Sequence, residues 1–260
     1  MLFWIIKIIL TPFAWLYFRP WSRNNKVVPR DGAAILASNH LAVMDSVVLP
    51  LILPRQVKFI AKSDYFTGRG FKGWLTRNFM KMVGAFPVDR RGGKASQRAL
   101  ESSLRVLEEG NLFGIYPEGT RSPDGKLYKG RTGVARIAIE SGAPVIPVVM
   151  VGTRQAQKPG APFPKPARCG AIFGEPLYFG HYKNSEVTHE ILRQVTDEIM
   201  EAIAALSEQE YVSDTYASVA KARIADHGES LEQTVDEKAV EENIAEGTVE
   251  NTAPTASTNQ

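Results

Sequence analysis

An α/β fold, with a mixed or parallel sheet flanked by helices, is what this 260-residue chain predicts. Three observations predict it. Short apolar runs of strand length recur between residues 33 and 173, at 33–38, 57–61, 112–116, 145–151 and 168–173. Helical patterns lie between them, and strands alternating with helices argue for an α/β layer. At 44% hydrophobic residues, the chain can bury one large core.

The elements follow in order. Residues 1–18 are almost wholly apolar, with Lys7 and Pro12 inside them, and Arg19, Arg23, Lys26 and Arg30 follow. A spanning helix needs about 20 apolar residues. Trp4, Trp15, Tyr17 and Trp21 favour a membrane interface. We read a membrane-associated segment over 1–26, interfacial or shortly spanning, its basic flank on the cytoplasmic face. A buried core helix would explain the hydrophobicity but not the Trp/Arg ending. The run 33–38 reads as a buried strand ending at Asn39-His40. Residues 45–53 can form a helix only if Pro50 lies in its first turn or kinks it. In 95–109, Leu100, Leu104 and Leu107 share a face, and Gly110 stands as the stop. Val134, Ile137 and Ala138 are spaced likewise. Ile191, Val195, Ile199, Ile203 and Leu206 make a long stripe. Beyond 207 the composition turns acidic and poor in aromatics, and roughly 228–260 is expected to be disordered.

Charge is unevenly spread. Residues 207–260 hold 12 acids and 3 bases, net −9, whereas residues 1–206 hold 16 acids and 28 bases, net +12. A basic body suits phosphate esters, acidic headgroups or nucleic acid. The basic residues lie in loops without interleaved aromatic stacking platforms, so no nucleic-acid partner is expected. Cys169 is the lone cysteine, set in an apolar run and read as core. No metal-ligand spacing is present and no cofactor is expected.

Two segments do not look like packing. Asn39-His40-Leu41-Ala42-Val43-Met44-Asp45 sets a histidine five residues before a carboxylate. A neutral imidazole can take a proton from an alcohol, and an acid on its other nitrogen fixes the tautomer. Five residues is the wrong spacing for one helical face, so a turn must follow His40. Taken alone, Asp45 reads equally as a helix cap. The second segment, Tyr116-Pro117-Glu118-Gly119-Thr120-Arg121-Ser122, also follows a strand. Gly119 permits close backbone approach, and Thr120 and Ser122 add hydroxyls. Arg121 offers a planar fork suited to phosphate. Between them, Phe86-Pro87-Val88-Asp89-Arg90-Arg91 sets two arginines after an apolar run; by itself it is a charged turn. In α/β sheets chemistry gathers beyond the strands' carboxyl ends, where both principal segments fall.

In this order the segments resemble the lysophosphatidic acid acyltransferase family, within the glycerol-phosphate acyltransferases. Asn39, His40 and Asp45 match its first motif, and Phe86 to Arg90 its second. Tyr116 to Ser122 match its third, with Tyr for Phe, and Val145-Ile146-Pro147-Val148 its fourth. The resemblance covers about 30–180. Ala42 departs from it, standing where many members carry Ser or Thr. The resemblance implies an acyltransferase domain over 27–206. It would move a fatty acyl group from a thioester, of coenzyme A or an acyl carrier protein, to the free hydroxyl of 1-acylglycerol 3-phosphate, giving phosphatidic acid. It implies His40 as base oriented by Asp45, and Arg90 and Arg121 on the phosphate. Gly119 and Thr120 belong to the same substrate-binding segment. Glu118 has two readings there: it binds a glycerol hydroxyl or braces Arg121. A related lysolipid or glycolipid acyltransferase, and a non-catalytic lipid-binding protein of the same fold, are the alternatives.

Overall fold

All five anticipated strands form. The computed structural model describes residues 11–88, 95–161 and 163–220. Its strands are β1 (Trp21–Arg23), β2 (Ala34–Ser38), β3 (Val57–Lys62), β4 (Ala85–Val88), β5 (Leu112–Ile115), β6 (Leu127–Tyr128), β7 (Val145–Val151), β8 (Gly170–Phe173) and β9 (Tyr211–Val212). Seven make one sheet in the order β1-β8-β7-β2-β5-β3-β4, and β6 pairs with β9. Every pairing in the large sheet is parallel except β7–β8. The sheet is therefore mixed but dominated by parallel strands.

The helices are α1 (residues 11–18), α2 (Asp45–Ile52), α3 (Asp64–Thr67), α4 (Gly70–Met82), α5 (Ala95–Glu108), α6 (Gly133–Ser141), α7 (Thr153–Ala156) and α8 (His189–Leu206). All five residues of β2 are buried, as expected of a central parallel strand covered on both faces. Its alternate side chains divide between two clusters. Ile35 and Ala37 pack with Phe113, with Ile137 of α6 and with Ile199 of α8. Ala34 and Leu36 pack with Leu112, with Val48 and Leu49 of α2 and with Phe18 of α1. Each large apolar side chain so buried contributes about 1.5–3 kcal/mol.

This layering creates the site. β2 and β5 are neighbours, paired Ala37 to Ile115. The chain leaves β2 for α2 on one face of the sheet, and leaves β5 for α6 on the other. A crevice opens at the carboxyl ends of such a strand pair.

Several details differ from, or sharpen, the sequence reading. Pro50 sits in the second turn of α2, near its end, where the broken hydrogen-bond ladder matters least. Gly110 closes α5 with φ +74°, as its position implies. β4 contains Pro87 and is an edge strand, the place where a missing N–H is tolerated. The folded body also continues past Leu206. β9 pairs with β6, and Tyr216 packs edge-on against Tyr128 with centroids 5.3 Å apart. The boundary expected at 206 thus falls within a packed segment, whose acidic composition masks its anchoring side chains. Residues 1–10 and 221–260 lie outside the described residues. Among the described residues no helix is long and apolar enough to cross a membrane.

Candidate active site

Because Ala37 and Ile115 are in register, the residues three beyond each, His40 and Glu118, leave the sheet at the same level. Glu118 turns this proximity into a clamp. Its Oε1 accepts the His40 backbone N–H at 3.0 Å, and its Oε2 accepts the Tyr128 N–H at 3.0 Å. The His40 carbonyl accepts the Ser122 N–H at 2.8 Å, tying the two loops a second time. Glu118 is buried, and both its oxygens are engaged by backbone. Sequence reasoning gave no sign of these two backbone bonds.

Asp45 begins α2, after a turn in which its N–H bonds the Ala42 carbonyl at 3.1 Å. That turn brings the carboxylate back to the imidazole. One oxygen, Oδ2, accepts from His40 Nδ1 at 2.8 Å, from Leu41 N–H at 2.6 Å and from Ala42 N–H at 2.9 Å. Asp45 is fully buried, and its Oδ1 has no hydrogen-bond partner. With Nδ1 donating to the carboxylate, His40 Nε2 carries the lone pair. Ala42 is buried, so what that position gives the site is its N–H.

The imidazole is also pinned from one side. The Tyr116 ring stacks on it at 3.8 Å between centroids and 9° between planes. Phe59 lies parallel beyond, 5.9 Å from Tyr116. The Tyr116 hydroxyl sits 2.7 Å from Ser46 Oγ. Burial and the nearby Asp45 charge raise its pKa well above the usual tyrosine range. The phenol therefore stays protonated, and its electron-rich face favours a positive imidazole. Asn39 fixes the strand end: its Oδ1 accepts Met150 N–H at 2.7 Å, and its Nδ2 donates to Gln209 Oε1 at 2.6 Å. Sequence reasoning assigned no role to Tyr116, Ser46, Asn39 or Gln209. Only the position of Tyr116 inside the second segment hinted at its contact.

Beside this pair lies an open cleft. Leu41 to Val43 form one wall, Thr120 to Pro123 another, and residues 157–161 with Tyr216 complete it. Arg121 and Lys158 give it positive charge. Gly119 has φ +74°, and a Cβ there would come 2.9 Å from Arg131 Nε, so this turn requires glycine. Arg154 donates to the carbonyls of Ser122 (3.0 Å) and Pro123, bracing the same loop. Arg90 falls in 89–94, outside the described residues. Cys169 is buried in the core, which pushes its thiol up to about 11, unsuited to nucleophilic attack.

Glu118 also makes the site sensitive to pH. Burial pushes its carboxyl up to about 8 from the ordinary 4.5, against the pull of the two N–H bonds. Between those values the folded protein holds a proton that the unfolded chain has released. Stability therefore falls as pH rises through that window, by up to about 1.4 kcal/mol per unit. Glu118→Gln removes this dependence but sets an amide NH2 against one backbone N–H, costing about 1–3 kcal/mol. The variant should be less stable than the wild type at pH 5, with the gap closing toward pH 8. Denaturant unfolding at both values checks this, and a gap independent of pH would contradict it.

Comparisons with known proteins identify a family and a fold. The model of the acyltransferase family matches residues 21–151. The 1-acyl-sn-glycerol-3-phosphate acyltransferase of Bacillus subtilis is 31% identical over 168 residues, which are 63% of this chain and 77% of that protein. A chloroplastic 1-acyl-sn-glycerol-3-phosphate acyltransferase of Arabidopsis thaliana is 31% identical over 131 residues, 50% of this chain but 35% of that protein. The crystal structure of the 1-acyl-sn-glycerophosphate acyltransferase PlsC from Thermotoga maritima superposes with a TM-score of 0.57 at 23% identity. It covers 80% of this chain and 81% of that one, a likeness of fold.

Proposed function

From this chain's membership of the acyltransferase family, to which it belongs, we propose that it transfers a fatty acyl group from a thioester to the sn-2 hydroxyl of 1-acylglycerol 3-phosphate, forming phosphatidic acid. The observation that carries the reading is the 2.8 Å bond between His40 Nδ1 and Asp45 Oδ2, at the edge of a cationic cleft. His40 Nε2 takes the proton of the acceptor hydroxyl as its oxygen attacks the thioester carbonyl. Asp45 holds the ring and offsets the charge it gains. When the tetrahedral adduct collapses, the carbon–sulfur bond breaks and the thiolate recovers the proton from the imidazolium. No covalent enzyme intermediate is required.

Arg121, joined by Lys158, meets the acceptor phosphate in the cleft, and Arg90 adds a second guanidinium. The donor is the thioester of coenzyme A or of an acyl carrier protein. Residues 1–26 hold the enzyme at a membrane, on its cytoplasmic face, where a two-tailed product and a one-tailed acceptor reside. The enzyme thus serves phospholipid biosynthesis.

The test is turnover by purified full-length protein, offered lysophosphatidic acid and a panel of other lysolipids with both donor types. The expected result is phosphatidic acid, with a strong preference for the acceptor bearing a terminal phosphate. Equal turnover of lysolipids with blocked phosphates would assign the cleft to another headgroup. No acylation of any lysolipid would overturn the reading.

A further inference from the structure

Helix α4 is amphipathic the wrong way round. Phe71, Trp74, Leu75 and Phe79 stand at the i, i+3, i+4, i+8 spacing of a core-facing stripe. Yet Phe71 is 75% exposed, Trp74 51%, Leu75 55% and Phe79 36%. Phe71 and Trp74 stack on one another at 5.9 Å, with Tyr65 of α3 also exposed. The face inward is made instead by Gly73, whose backbone lies so close to Gly68 that a Cβ would come 2.1 Å from the Gly68 carbonyl oxygen. A helix so seated keeps its aromatic side turned out by construction.

The charge beside the stripe has one sign. Lys72, Arg77 and Lys81 lie on α4 and Arg69 just precedes it, with no acid anywhere in the helix. The location matters too. The connection from β3 to β4 runs across the sheet in the same direction as that from β2 to β3, and right-handed crossovers then put α4 in the layer of α2. The same layer holds α1, whose Phe18 packs under α2 while Phe13, Trp15 and Leu16 are exposed. α3 and α4 also depart from the carboxyl end of β3, the sheet end that carries His40 and Glu118.

We propose that α4 is a membrane-docking helix, which lays Phe71, Trp74 and Leu75 into the headgroup–acyl boundary of an anionic bilayer while Lys72, Arg77 and Lys81 meet its phosphates. It is a contact separate from residues 1–26. The chemistry fits an interfacial helix: an exposed stripe of aromatic and leucine side chains flanked by lysine and arginine, and no acids. Docking by α4 sets the sheet end that bears the reacting pair against the surface that holds a lipid acceptor.

The test uses the full chain and vesicles of phosphatidylglycerol and phosphatidylcholine, without turnover, so its outcome is separate from that of the acyl-transfer assay. In a chain with Trp4, Trp15 and Trp21 replaced by Phe, Trp74 emission should shift to the blue on vesicle addition and be quenched by brominated lipid. The triple variant Phe71→Ser/Trp74→Ser/Leu75→Ser should bind these vesicles at least about tenfold more weakly. Lys72→Glu/Arg77→Glu/Lys81→Glu should lose binding to anionic vesicles more than to neutral ones. Unshifted Trp74 emission together with unaltered binding of both variants would overturn the proposal. So would self-association in lipid-free sedimentation that the serine variant abolishes, since the face would then belong to a second copy of the chain.

Discussion

His40→Ala is expected to lower kcat for acyl transfer by about 10²–10⁴-fold, the usual contribution of a positioned general base. The side chain is 16% exposed, stacks on Tyr116 and belongs to neither core cluster, so its removal leaves those clusters intact. The fold should survive, which near-ultraviolet circular dichroism would verify. What disappears is the acceptor for the hydroxyl proton. Residual turnover would come from holding alcohol and thioester together in the cleft. Initial rates at saturating donor and acceptor are the measurement, and a kcat indistinguishable from wild type would remove His40 from the role of base.

The second large effect concerns Asp45. Its Oδ2 serves three donors at once, the imidazole and two successive backbone N–H groups, so charge and geometry can be separated. In Asp45→Asn the amide oxygen can keep all three bonds, but the negative charge is gone. The new NH2 then occupies the place of Oδ1, buried and without a partner. We expect a stability loss of about 1–3 kcal/mol from that orphaned donor. We expect a kcat loss of about 10²–10⁴-fold because the imidazolium is no longer offset. Asp45→Ala strands three donors and should destabilise more than Asn, without a proportionate further loss of kcat. The double variant His40→Ala/Asp45→Asn should turn over no more slowly than His40→Ala, because groups acting as a unit do not lose activity additively. Multiplied losses would mean that Asp45 acts on the reaction apart from His40.

Much of this was legible in the residues, for physical reasons. Strands buried on both faces must be runs of apolar residues, and β2, β5 and β7 announce themselves so. Amphipathic helices such as α8 show their core stripe by period. Asp45 needed a turn after His40, and the turn is there. What could not be read depends on neighbours distant in sequence. That β2 lies beside β5, in register at Ala37 and Ile115, is a matter of topology, and so is the Glu118 clamp that follows from it. β1, β6 and β9, of two or three residues, are too short to carry a period. Asn39 looks like an ordinary polar residue until Met150 and Gln209 are beside it. Helix α4 has a readable stripe, but periodicity alone cannot say that the stripe faces outward.

The segment after α8 bears on how the protein is made. Gln209 takes a hydrogen bond from Asn39 and donates one to the Gly125 carbonyl, while Tyr216 closes the cleft's last wall. Both arrive long after the histidine, the acid and the arginine have left the ribosome. A nascent chain therefore carries every reacting group before it owns the residue that pins the histidine's strand end. The site is complete only once the segment after α8 has joined the chemical motifs.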